Sequence, residues 1–381
     1  MTRIFIIMLL IVTLSFFAVQ GVQADNFRAR TEELMEKYRV PGVAVALIEK
    51  GEISLLEGWG YQDQEKRMPV TPETIFQVAS ISKPVAAVGA LRLVQSGAWD
   101  LDDPLQDYLK SWNLPDNYHD LRGITLRRVL SHSAGLGPGG YLGYTSAKEK
   151  PSLVEALEGS APGSRAVEIV ATPGQEFRYS GGGYTVLEQA LEDLTGRDFA
   201  DYMAEEVLQP LEMKDSTFNW EEKMAGQLAL PYSVYNGVLP NYLFAERAAA
   251  GLYSTAADLA LFLQYALAVF EGAVDPELGV MFTEQAGGYG LGWQITILPD
   301  GRHLLGHGGS NRGWKANMAL IPEDGAGIII LTNSDRGMPF YRDLTNYWLE
   351  KNSAGHAIDT PGRIMMYLID LYQRFGLWFL R

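Results

Sequence analysis

From residue 25 onward the spacing of apolar positions changes character three times. In "NFRARTEELMEKYRV", Phe27, Leu34, Met35 and Tyr38 fall at helical intervals and predict an amphipathic helix. Two strand-like runs follow, Val43 to Ile48 and Ile53 to Leu56. The polar turn Lys50, Gly51, Glu52 between them predicts a β-hairpin. From about residue 80 to 280 helical periods return, broken by glycine and proline loops, in "PVAAVGALRLVQSG", "GYTVLEQALEDLTG" and "STAADLALFLQYALAVF". Beyond residue 288 strand patterns reappear in "LGWQITIL", "WKANMALIP" and "GAGIIILTN", before a helical stretch near "FYRDLTNYWLEK". The pattern predicts an α+β fold: an antiparallel sheet built from both chain ends and flanked by helices, with a mainly helical domain inserted between them. The expected boundaries are 25–78 with 285–350 for the sheet domain and 79–284 for the helical domain.

The two termini read differently. Residues 1–24 join Arg3 to a long apolar run and then to small residues around Val22 and Ala24, the pattern of a secretory signal peptide cut after Ala24. An uncleaved membrane anchor is the alternative, and both readings export the body of the chain. Residues 351–381 form an amphipathic tail, with Ile364, Leu368, Leu371, Phe375, Trp378 and Phe379 on one helical stripe. Asp370, Gln373, Arg374 and Gly376 break that stripe too often for a membrane span. It reads either as a helix lying against a membrane surface, giving peripheral contact through residues 364–381, or as a terminal helix docked on its own domain.

Composition narrows the classes. With 47% hydrophobic residues in 381, the chain supplies a large core without disulfides, and it contains no cysteine. That removes thiolate metal sites and cysteine nucleophiles. An exported chain without disulfides fits the bacterial periplasm or exterior. The 46 acidic residues against 31 basic ones leave a net charge of -15, which opposes phosphate binding and excludes nucleic acid as a partner.

Three short motifs carry candidate chemistry. "VASISKPVAA" places Ser80 three residues before Lys83 at a helix start, so a hydroxyl and an amine share one face. Pro84 biases Lys83 away from helical angles and predicts a tight local turn. Alone, the pair also fits an ordinary polar helix start. "FRYSGGGY" sets Tyr179 before three glycines that would allow close approach to a ligand, or else a buried aromatic beside a flexible loop. "LLGHGGSNRGW" reads as a strand end followed by His307, Gly308, Gly309 and Ser310, with small residues exposing main-chain N–H groups.

In this order and spacing the three motifs resemble the serine β-lactamase and penicillin-binding-protein superfamily, closest to class C β-lactamases, D-aminopeptidases and family VIII carboxylesterases. The resemblance spans residues 28 to 350 and includes "TIFQVASISKP", "ITLRRVLSHSAGL", "LQPLEMKDSTF", "AAAGLYSTAADLALF" and "ITILPDGRHLLGHGGSNRG". It implies a β-lactamase/transpeptidase-like fold and no cofactor. It makes Ser80 an acyl-accepting nucleophile and Lys83 with Tyr179 the acid–base pair, the choice of base being open. The backbone N–H groups of Ser80 and Ser310 become the oxyanion hole, beside His307, Gly309 and Arg312 as substrate-binding positions.

Two departures bear on substrate. Where class C enzymes carry Tyr-x-Asn and Lys-Thr-Gly, this chain has Gly181 and His307. An amide-recognising side chain is missing, and a fixed cation is replaced by a histidine, unless Arg312 supplies the charge. The expectation is an exported serine hydrolase acting through an acyl-enzyme on Ser80, on small-molecule esters, peptides or amides. The alternatives are a β-lactamase or D-Ala-D-Ala carboxypeptidase, and a non-catalytic binder of cell-wall fragments. "GLGPGG" (135–140) lacks the strand–turn–helix context of a dinucleotide site. His303 and His307, four apart, have no carboxylate cluster that would make a metal site, and His132 reads as a structural hydrogen-bonding residue.

Overall fold

A computed structural model describes residues 25–115 and 120–352. The expected signal segment and the amphipathic tail stripe of residues 364–379 lie outside the described residues. Helix α1 (25–38) leads into strands β1 (Gly42–Glu49), β2 (Glu52–Asp63) and β3 (Met68–Pro69). The chain returns to the same sheet with β4 (Gln294–Ile297), β5 (His303–Asn311), β6 (Trp314–Ile321) and β7 (Ala326–Thr332). The seven strands run in the order β3-β2-β1-β7-β6-β5-β4, antiparallel throughout. Both chain ends therefore build one sheet, joined where β1 pairs with β7.

The hairpin between β1 and β2 closes on two residues, Lys50 (φ 53°) and Gly51 (φ 81°). Positive φ at both central positions matches the strand twist, which is why a glycine stands there. Strand β2 continues to Asp63, well past the predicted Leu56. Its second half is masked in sequence by Gly58 and Gly60, where a side chain would strike the Val70 and Pro41 carbonyls at 2.4 and 2.1 Å. Strand β5 likewise runs through the expected strand end at His307 as far as Asn311.

The central strands are covered on both faces, so they read as continuous apolar runs. Val43, Val45, Ile328 and Ile330 pack with Phe340, Leu344 and Trp348 of helix α5 (Gly337–Lys351) and with Phe27 and Leu34 of α1. Ala44, Ala46, Ile329 and Leu331 face the other way, into the core shared with the middle of the chain. That region contains the three predicted helices, α2 (Ser82–Gln95), α3 (Gly181–Thr195) and α4 (Ala256–Phe270). Between them lie short turns and two minimal strand pairs, Phe76–Gln77 with Tyr253–Ser254 and Leu136–Gly137 with Glu168–Ile169. Pairs of two residues are too short to show an alternating pattern. Among the described residues no helix is long and apolar enough to cross a membrane.

Because neighbouring residues of β7 point into different cores, Ile330→Ala and Leu331→Ala are each expected to cost about 2–5 kcal/mol in urea unfolding. A loss confined to one of the two would mean that one face of the sheet is solvated.

Candidate active site

The chain enters α2 through a bend. Ala79 adopts φ 51°, a left-handed conformation that costs a non-glycine residue about 1–3 kcal/mol, and Ser80 follows in a single 3₁₀ turn, Ala79–Ile81. The Ser82 hydroxyl pins this bend: it donates to the Ala79 carbonyl at 2.5 Å and accepts from Leu252 N–H at 2.9 Å. Lys83 and Pro84 occupy the first turn of α2, where a missing N–H is tolerated. Ser80 and Lys83 thus meet as expected, with Lys83 Nζ donating to Ser80 Oγ at 3.1 Å and to the Ala249 carbonyl at 2.7 Å. Lys83 is 2% exposed and both of its partners are uncharged. Burial alone lowers its pKa from the ordinary lysine value to about 7.

Tyr179 immediately precedes α3, and Ser180 caps that helix by accepting from Gly183 N–H at 2.7 Å. The tyrosine ring lies 5.0 Å from Lys83 Nζ, and its buried hydroxyl lacks an aligned hydrogen-bond partner. Burial raises the phenol pKa, with the Ser80 hydroxyl pulling it partly back. The three glycines do not open a space for ligand. A side chain on Gly182 would meet the Gly137 carbonyl at 2.0 Å, and one on Gly181 would meet the Tyr141 ring at 3.0 Å. They let α3 start hard against the 135–140 loop, and Tyr141 occupies the space beside Gly181.

Strand β5 closes the third side. Gly309 allows it to pass against the turn that bears Ser80, since a side chain there would strike the Val78 carbonyl at 2.2 Å. This contact brings Ser310 alongside the Ser80 turn. The His307 ring stands 6.1 Å from that of Tyr179 and is buried. Its Nδ1 faces the Gly308 carbonyl at 2.6 Å, so Nδ1 carries the hydrogen and Nε2 is left as a buried acceptor with no partner. Burial, helped by Lys83, lowers its pKa to about 3, so the ring is neutral. Arg312 lies in the β5–β6 turn with its guanidinium 4.7 Å from the Tyr242 ring centroid. His303, by contrast, is turned toward Glu323 at 2.5 Å, away from this cluster.

Sequence reasoning missed the support for Lys83. The Ala249 carbonyl belongs to the short helix Arg247–Ala250, which is gripped from α3. Glu188, fully buried, accepts from Arg247 Nε at 2.7 Å and from Ala248 N–H at 2.8 Å. Asn311, at the end of β5, donates to Gln77 at 2.7 Å and to the Ala250 carbonyl at 3.2 Å, tying the same helix to the sheet. A main-chain acceptor leaves no mark in sequence. The segment "AERAAAG" that forms this helix has no pattern that points to such a role.

The architecture recurs in solved structures. The octameric penicillin-binding protein homologue from Pyrococcus abyssi matches with a TM-score of 0.75 and 26% identity over 89% of this chain and 79% of its own. The fold also matches that of SurE with D-Leu, with a TM-score of 0.71 and 24% identity over 90% of this chain and 78% of that one. The fold thus defines the serine β-lactamase and penicillin-binding-protein class. A family model described as Beta-lactamase matches residues 27–352, and the chain belongs to that family. Among curated relatives, Protein flp of Staphylococcus aureus (strain MW2) is 22% identical over 313 residues, covering 79% of this chain and 61% of that protein. A D-aminopeptidase of Gluconobacter oxydans (strain 621H) is 26% identical over 336 residues, covering 81% of this chain and 60% of that protein. The chain spans about three fifths of the length of both relatives.

The depressed lysine has a stability signature. Its folded pKa lies below the free value of about 10.4, so between about pH 7 and pH 10 the unfolded chain binds more protons and stability rises with pH. Lys83→Met removes this term. Thermal melts at about pH 6, 8 and 10 are expected to show a gain over the parent that is largest at the acidic end and shrinks as pH rises. A gain that grows with pH would contradict the assignment.

Proposed function

We propose that the chain is a serine hydrolase that works through an acyl-enzyme on Ser80, acting on small esters, peptides or amides, D-amino-acid derivatives included. The observation that carries this reading is the buried Lys83 amine, 3.1 Å from Ser80 Oγ, with uncharged partners. Lysine lowered to about 7 is a base near neutrality, whereas the Tyr179 phenol, pushed upward, keeps its proton. Lys83 accordingly takes the Ser80 proton as Oγ attacks the substrate carbonyl. The oxyanion is received by the backbone N–H groups of Ser80 and Ser310, and the Lys83 ammonium passes its proton by way of Tyr179 to the leaving group, so that both groups return to their resting protonation. Water then attacks the acyl carbon and gives its proton to Lys83, which returns it to Ser80 Oγ as the acyl–oxygen bond breaks and the acid is released.

The substrate reading rests on what faces the nucleophile. A neutral His307 offers no fixed charge for a substrate carboxylate, and Gly181 with Tyr141 behind it offers no amide side chain. With the Arg312 guanidinium stacked on the Tyr242 ring, both favour ester and amide substrates without a carboxylate over β-lactams, and the D-aminopeptidase relative supports the amide part of that reading. The apolar run behind Arg3 and the absence of cysteine support action outside the cytoplasm, in the periplasm or beyond it.

Ser80→Ala should lower turnover of p-nitrophenyl esters and D-alanyl p-nitroanilide by about 10⁴-fold or more and abolish fluorophosphonate labelling. A chromogenic cephalosporin should be a poor substrate. Labelling of the alanine variant at the same site, or cephalosporin turnover matching that of the ester, would overturn the reading. The pH profile is a separate check. The kcat/KM of the parent should rise through a single ionisation near pH 7, and His307→Gln should leave that limb in place, because His307 titrates far below it. Disappearance of the limb in His307→Gln would assign the base to the histidine.

A further inference from the structure

His132 stands outside the acid–base set, yet it holds the chain on both sides of Tyr179. It follows the short helix Leu126–Leu130 and adopts φ 57°, a strained conformation for a histidine. Its carbonyl accepts from Arg178 N–H at 2.7 Å, and its Nδ1 accepts from Ser180 N–H at 3.1 Å. These are the two amides that flank Tyr179. The ring also packs against the Tyr179 ring at 4.3 Å between centroids, with Tyr289 at 4.7 Å and Tyr184 at 5.3 Å around it.

Because Nδ1 accepts, the ring hydrogen sits on Nε2, which is buried and has no partner. A buried donor left unpaired costs about 1–3 kcal/mol, so a leucine of similar size would suit a purely structural position better. What histidine supplies, and an apolar side chain does not, is the acceptor at the δ position.

We propose that His132 is the positioning residue of Tyr179: by gripping the amides before and after the tyrosine and backing its ring, it directs the phenol toward Ser80 and Lys83. This rests on the acid–base reading given above. The hydrogen bonds that His132 accepts come from the chain around Tyr179 and not from Ser80 or Lys83, so it acts through Tyr179.

The test uses p-nitrophenyl butyrate with the full chain and four variants. His132→Leu removes the Nδ1 acceptor, and His132→Asn restores an acceptor at the δ position while tolerating a left-handed backbone. His132→Leu is expected to lower kcat by about 10²-fold with KM within about threefold, the mark of lost proton transfer rather than lost binding. His132→Asn should recover at least about tenfold of that loss, and combining His132→Leu with Tyr179→Phe should be no worse than Tyr179→Phe alone. Equal losses in His132→Leu and His132→Asn, or a full additional loss in the double variant, would overturn the clamp. Where His132→Leu does not fold, His132→Gln takes its place, since its acceptor lies one carbon too far. Activity of His132→Asn well above His132→Gln supports the proposal, and parity overturns it. Full turnover by Tyr179→Phe alone would instead sink the acid–base reading, and the clamp with it.

Discussion

Everything at this site depends on an amine taken out of water without a counter-charge. Lys83 lies against a hydroxyl and a carbonyl. Lowering it from its ordinary value to about 7 corresponds to a penalty on the cation of order 5 kcal/mol, a sizeable part of a typical folding free energy. An adjacent carboxylate would remove that penalty and with it the proposed chemistry, because a salt-bridged lysine stays protonated and could not accept from serine. The core absorbs the cost. Every residue of α2 from Ser82 to Leu91 is buried, so the helix that presents the amine is held by packing on all sides.

Helix α3 makes the arrangement rigid by serving two of the three groups. Its N-terminal cap follows Tyr179 directly, and two turns further along Glu188 grips Arg247 and the Ala248 amide. That grip fixes the helix whose Ala249 carbonyl accepts from Lys83. One element therefore sets both the phenol and the acceptor that aims the amine, so a shift of α3 would move both together. Burial pushes Glu188 upward, and Arg247 holds it down. Removing either partner would leave an uncompensated group in the core, which is more damaging than the pair is stabilising.

Much of this was legible in the chain. The apolar runs of β1 and β7 and the helical periods of α2, α3 and α4 are strong because burial on both sides of the sheet demands them. The spacing of Ser80 and Lys83 puts them on one helical face, but alone it fits an ordinary polar helix start equally well, and only the order of all three motifs singled the pair out. What escaped was carried by backbone. The left-handed Ala79 and His132, the Ala249 acceptor and the continuation of β2 and β5 through glycines arise from tertiary contacts that have no local period. The glycines of "YSGGGY" and "GHGG" were visible, but their reason was not. At Gly182 and Gly309 the close approach is to the protein's own backbone, which draws α3 and β5 around Ser80.

The exchange of a cation for His307 follows the same electrostatic logic. Neutral, with its hydrogen held on Nδ1 by the Gly308 carbonyl, it puts an acceptor near Tyr179 where a lysine would put a positive charge. A second cation beside Lys83 would drive the amine further down and attract anionic substrates at the same time. With a neutral ring, the lysine's proton affinity is governed by desolvation alone, and burial is the one cause of its shift. On the proposed reading, basicity and substrate charge are thereby uncoupled: the core around α2 sets the proton affinity of Lys83, and the neutral His307 ring adds no charge of its own beside it.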